Sequence, residues 1–146
     1  MSELINPFVP YMQDQTGFPA TFLVEVVKLL EAASYTVEET DHWLLGFTVK
    51  AVEQEIKNAC NVLAVPEGLY PYAVRLTVAE FLTAKKGMGQ SLQGLNLEPF
   101  VKQIQEGDTS VTFDQGMQPE ERFDKLLQWW LKSARQQYVT FRRLVW

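Results

Sequence analysis

Apolar and polar positions change rhythm several times along the chain, and each change marks an element. Residues 1–19 have no helical rhythm, because Pro7, Pro10 and Pro19 with Asn6 and Gly17 interrupt it. An extended N-terminal arm is expected there. Over residues 20–33 the polar side chains recur at Thr21, Glu25, Lys28 and Glu31, which predicts a helix apolar around most of its circumference. Such a helix needs cover on more than one side. Leu45, Val49, Val52, Ile56 and Ala59 then form one stripe, predicting a second helix from about residue 41 to 61 with Thr40 or Asp41 as its N-cap. Lys50, Glu53, Gln54 and Lys57 lie opposite the stripe, and Gly46 costs its first turn about 1 kcal/mol relative to alanine. Pro66 suits the first turn of a third helix that extends to about Lys86 and stops at Gly87. Between Tyr70 and Leu82 only Arg75, Thr77 and Glu80 are polar apart from tyrosines, so this helix is expected to be the most buried.

Residues 87–99 combine three glycines with polar residues and a proline, which predicts a long loop. Gly87, Met88, Gly89, Leu92, Gly94 and Leu95 are its candidate docking residues. Val101–Gln105 and Ser110–Phe113 flank Glu106-Gly107-Asp108-Thr109, a turn-forming tetrapeptide with Gly107 and Asp108 at its centre, and predict a short β-hairpin. Pro119, Glu120 and Glu121 open a last helix in which Phe123, Leu126, Leu127, Trp130, Leu131, Ala134, Tyr138 and Phe141 recur at helical spacing. The expected fold is mainly α, a small bundle of about four helices with a short β-hairpin before the C-terminal helix. The organisation is an arm over 1–19 and a single helical domain over 20–146.

A chain of 146 residues, 47% hydrophobic and 21% charged, suits one domain with one core. The greasiest run, Phe22 to Ala33, is broken by Glu25, Lys28 and Glu31, and Met1–Pro10 lacks the basic start and apolar run of a secretory signal. A soluble intracellular protein with no membrane partner is expected. The formal net charge of −5 removes any general attraction to a phosphate backbone. Its distribution is uneven: residues 1–60 carry nine acids against three bases, and residues 120–146 three acids against six bases. An acidic part and a basic end suit head-to-tail association of neighbouring copies.

Candidate chemistry is sparse. The single cysteine, Cys60, closes no intrachain disulfide, and the single histidine, His42, has no second imidazole for a metal or a triad. The glycines at 87, 89 and 94 lack the spacing and lysine of a phosphate loop, and Glu38-Glu39 and Glu120-Glu121 stand where a helix dipole accounts for them. No catalysis, cofactor or metal is expected. Trp129 and Trp130 differ: neighbours on a helix point about 100° apart, so both are buried only if two sides are covered. One of them is expected at an interface. The segment Phe141-Arg142-Arg143-Leu144-Val145-Trp146 has the arginine and aromatic composition of interface hot spots, though folding back onto its own core is the alternative. Trp129, Trp130, Arg135, Phe141, Arg142, Arg143, Leu144 and Trp146 are the candidate interface residues.

Three segments in order carry a resemblance. These are Ala59-Cys60-Asn61 followed by Val65-Pro66 and Leu69, then Ile104 through Phe113 with its Gly-Asp-Thr turn, then the last helix ending Phe141 to Trp146. Together they resemble the head-tail connector (adaptor, or head-completion) proteins of tailed phages and prophages of Gram-positive bacteria, over about residues 41–146. Residues 1–40 lie outside the resemblance, and Val145 stands where the pattern has arginine. The resemblance implies a non-catalytic virion subunit, assembled in the host cytoplasm and placed at the head-tail interface. It implies self-association into a ring on the portal protein, a channel through which DNA passes without sequence-specific binding, and a platform for the tail-side completion protein. The alternative is a non-catalytic cytoplasmic helical adaptor or regulator that binds a protein partner through its aromatic C-terminus.

Overall fold

A computed structural model describes residues 6–88 and 119–142. Its helices are α1 (Phe8–Met12), α2 (Ala20–Ala32), α3 (His42–Cys60), α4 (Tyr70–Gly87), α5 (Pro119–Gln136) and α6 (Tyr138–Phe141), with single 3-10 turns at Glu39–Asp41 and Glu67–Leu69. The fold is mainly helical, and no strand occurs among the described residues. The expected hairpin over 101–113, with Gly107 and Asp108, lies outside the described residues.

Helix α4 is the axis, in contact with α2, α3 and α5. Ala73, Val74, Leu76, Thr77, Val78, Ala79, Phe81 and Leu82 are all buried, so no single stripe describes it. A helix buried this way must satisfy its enclosed hydroxyl internally, and Thr77 Oγ1, fully buried, donates to the Ala73 carbonyl at 2.8 Å. Around it, α2 buries Phe22, Leu23, Val26, Val27 and Leu30, and α3 buries the expected stripe of Leu45, Val49, Val52 and Ile56. Asn61 ends α3 in the left-handed conformation (φ 56°), where asparagine is tolerated.

Residues 6–19 are not the extended arm that three prolines suggested. Pro7 is the cap residue of α1, and Asn6 Oδ1 accepts the amide of Phe8 at 2.9 Å, starting a short helix. Phe8, Val9 and Met12 are buried, and Phe18 stacks on Phe22 with ring centroids 3.8 Å apart. Prolines at the start of a helix permit it. The apolar side chains between them then supply burial that proline positions alone do not reveal. Gly46 is explained by the same packing: a Cβ there would lie 2.7 Å from Met12 Sδ, so the absent side chain is what admits α1 against α3.

The last helix is also interrupted. Instead of running unbroken through Phe141, it ends at Gln136, and α6 begins after Gln137. The break turns Phe141 onto Gly68, where a Cβ would stand 2.6 Å from the Phe141 ring. Because Met12 is fully enclosed, Met12→Ala should destabilise the fold by about 2 to 5 kcal/mol in chemical denaturation. A loss under about 0.5 kcal/mol, as for an exposed arm, would contradict the packing.

Candidate functional site

Among the described residues, two clusters of titratable side chains centre on Asp41 and on Glu55, and each joins helices. At the start of α3, Asp41 is buried, with Oδ1 accepting from Lys85 Nζ at 2.8 Å and from the Tyr35 hydroxyl at 3.0 Å, and Oδ2 accepting the Glu38 amide at 3.1 Å. Asp41 occupies the N-cap position of α3, as its place in the sequence suggested, but its side chain caps no amide of that helix. Its side chain instead turns back to close the preceding 3-10 turn and reaches across to α4. Burial first, and then the Asp41 carboxylate, push the Tyr35 phenol well above its ordinary range, so it remains a donor.

In the second cluster Arg135 of α5 donates from Nε and Nη2 to the Glu55 carboxylate of α3 at 3.1 and 2.9 Å, and from Nη2 to Glu80 of α4 at 2.8 Å. The Tyr138 hydroxyl also donates to Glu55. Burial on its own raises the Glu55 pKa, but the hydrogen bonds from Arg135 and Tyr138 outweigh it and hold the carboxyl below its ordinary value of 4.5. Glu55 is therefore an anchored anion joining α3 to the C-terminal helices.

His42 and Cys60 are equally enclosed. The imidazole packs between Phe8 and Tyr11, with centroids 5.8 and 5.1 Å away. Burial pushes the Cys60 thiol up despite the opposing charge of Arg142, and its Sγ lies 3.6 Å from the Tyr138 carbonyl. A raised thiol pKa means little thiolate at neutral pH. Among the described residues no three metal-ligating side chains come together, and no helix is long and apolar enough to cross a membrane.

The residues proposed for contact from the sequence divide sharply. Trp130 is 0% exposed and belongs to the core, so its place as a candidate interface residue is corrected: α4 covers the face of α5 on which it lies. Trp129 is half-buried against the same core. Arg135 is engaged within the chain, and Phe141 is half-buried over Gly68. Arg142 is exposed where the described chain ends. Gly87 is the last residue of α4 and Met88 is exposed beyond it. Gly89, Leu92, Gly94, Leu95, Arg143, Leu144 and Trp146 lie outside the described residues.

The sequence reading does not single out an open aromatic surface on α3. Trp43 and Phe47 are 69% and 57% exposed and stack on each other, centroids 5.6 Å apart and planes 19° apart. They stand one helical turn apart on α3, off the Leu45–Val49–Val52–Ile56 stripe. That was the available signal: two large aromatics at i, i+4 outside the face that the stripe buries. Beside them a hollow of about 250 Å³ runs between α3 and α4, lined by Leu44, Phe47, Ala51, Val52 and Ala84 and ending at Glu55 and Glu80.

No protein-family model, curated protein or solved structure matches this chain.

The geometry displays an open aromatic surface on a bundle whose polar clusters fasten its helices. The Glu55 cluster has a pH signature. Its folded-state pKa is depressed, so its contribution is complete above pH 4.5 and is lost as the pH falls through the folded-state value. Glu55→Gln should lower stability at neutral pH by about 1 kcal/mol, a modest effect because the ion pair is partly exposed. It should also remove part of the wild-type loss on acidification. An acid-unfolding curve that Glu55→Gln leaves parallel to the wild type would refute this role.

Proposed function

We propose that this chain is a structural assembly protein, a subunit of a head-tail connector ring of a tailed phage or prophage. In this role it docks on the portal protein, extends the DNA channel and receives the tail-side completion protein. The reading rests on the connector-like segments and their order. The single structural observation that favours it is their convergence: the Cys60 thiol meets the Tyr138 carbonyl and Gly68 receives the Phe141 ring. Residues from the first and last of the three segments thus form one end of the bundle, from which Arg142 emerges. A basic, aromatic segment leaving a rigid end is suited to docking on a larger partner.

The exposed Trp43–Phe47 pair favours a second reading, a non-catalytic adaptor that binds a protein partner without forming rings. The two separate in one experiment. The full chain should bind purified rings of the portal encoded in the same genomic neighbourhood, and electron microscopy should show added density at one ring face. Replacing Arg142 and Arg143 with alanine should weaken that binding and reduce its salt dependence. Absence of binding, or a chromosomal setting without portal, capsid and tail genes, would rule out the connector reading.

A further inference from the structure

Helices α2 and α4 run side by side in the same direction. The Phe22 and Tyr70 rings meet near their starts, centroids 5.9 Å apart, and Tyr35, just beyond α2, meets Phe81 of α4 at 5.5 Å. Between the two helices lies a groove of about 520 Å³. Phe22, Leu29, Tyr70 and Val74 give it an apolar floor, and its charged groups are Glu25, Lys28 and Arg75. Charged side chains at Asp41 and Glu55 join helices. Those of the groove do not: among the described residues Glu25, Lys28 and Arg75 make no ion pair, although the first two stand three residues apart on α2.

The two cations come from opposite walls to one level. Measured from the Phe22–Tyr70 contact, Lys28 lies about 9 Å along α2 and Arg75 about 7.5 Å along α4. The Arg75 guanidinium carbon stands 5.8 Å from the centroid of the Tyr72 ring, a contact that uses the face of the group and leaves its N–H edge available. Glu25, the one carboxylate lining the groove among the described residues, stands nearly one turn earlier on α2 and bridges neither cation. Like charges converging over an apolar floor repel, and an anion placed between them removes that repulsion and gains charge-assisted hydrogen bonds. With Glu25 counted, the groove carries a balance of one positive charge, which a monoanion neutralises. Its volume is that of a small-molecule site, and its floor calls for an apolar body on the ligand. From Thr21 to Ala32 the wall formed by α2 is about 16 Å long, which suits an extended aliphatic chain better than a compact ring.

We propose that the α2–α4 groove binds a small aliphatic monocarboxylate, its carboxylate held between Lys28 and Arg75 and its hydrocarbon chain laid over Phe22, Leu29 and Val74. Helix α2 lies outside the connector-like segments, so this site stands or falls independently of the assembly reading.

Isothermal titration of the full chain with dodecanoate, kept below its micelle concentration, tests the site. Binding should saturate at one ligand per chain with a Kd below about 100 μM. Dodecyltrimethylammonium, with the same chain and the opposite charge, should bind at least about tenfold more weakly. Lys28→Gln and Arg75→Gln should each weaken dodecanoate binding at least about fivefold, whereas Glu25→Gln, which removes the groove's own carboxylate, should tighten it about two- to threefold. Lys132→Gln, at an exposed lysine of α5, should leave it unchanged and so separates the site from the overall charge of the protein. All four positions are exposed or half-buried, so the variants should melt close to the wild type. Amide NMR shifts of the wild type give a second measurement that needs no substitution: dodecanoate should move the resonances of residues 21–32 and 70–75. A wild type that shows no saturable binding up to about 1 mM overturns the proposal. So does binding that Lys28→Gln and Arg75→Gln leave unchanged, equal affinity for the cationic probe, or shifts centred on Trp43 and Phe47. Flotation with phosphatidylglycerol vesicles by a chain that binds no dodecanoate would overturn it in favour of a membrane surface.

Discussion

The buried contact between Asp41 and Lys85 is the constraint on which the arrangement of one end of the bundle depends. An ion pair removed from water loses hydration that its mutual attraction repays only with good geometry and further hydrogen bonds. Asp41 has them: Lys85 and Tyr35 share one carboxylate oxygen, and the Glu38 amide binds the other. The Lys85 ammonium also stands 5.9 Å from the centroid of the Phe81 ring. Apolar packing tolerates small readjustments, whereas the Asp41 carboxylate meets its three donors in one arrangement only. It sets the connection after α2, the start of α3 and the finish of α4 in one register. The display of Trp43, two residues beyond Asp41, follows from it.

The Glu55 cluster does comparable work further along α3, in more exposed surroundings. Arg135 bridges Glu55 and Glu80, so one guanidinium ties α5 to both α3 and α4. Tyr138 adds α6, and the Phe141 ring over Gly68 completes the closure. Between these two polar fastenings the core is continuous, from Phe8 and Met12 through Phe81 to Trp130. The result is a body rigid along α3 with different surfaces at its two ends.

Much of the helical skeleton was legible in the sequence because it is a local property. The spacing of Leu45, Val49, Val52 and Ile56 needs only one helix to be read, and so does the near absence of polar residues between Tyr70 and Leu82. What escaped was nonlocal. Asp41 is the N-cap residue its position suggests, but that its carboxylate serves Lys85, forty-four residues later, is visible only in the fold. The prolines of residues 7–19 signal a broken chain, while the burial of Phe8 and Met12 depends on the gap that Gly46 leaves on another helix. Trp130 and Arg135 have the composition of contact residues, and only the position of α4 assigns the first to the core and the second to an internal bridge. Conversely, Trp43 and Phe47 read as ordinary helix residues, and their exposure emerges only when α1, α2, α4 and α5 have all been placed without covering them.

The Asp41–Lys85 pair, rather than apolar burial alone, fixes the end of the bundle that carries the aromatic surface. A double-mutant cycle on Lys85→Met and Asp41→Asn, read by chemical denaturation, isolates their coupling. Lys85→Met alone should cost about 3 to 5 kcal/mol, because it leaves a buried carboxylate without its counter-charge. In the Asp41→Asn background the same substitution should cost at least about 2 kcal/mol less, the difference being the coupling between the two charges. A coupling within about 0.5 kcal/mol of zero would show that the two side chains act independently and that the pair does not fix this end of the bundle.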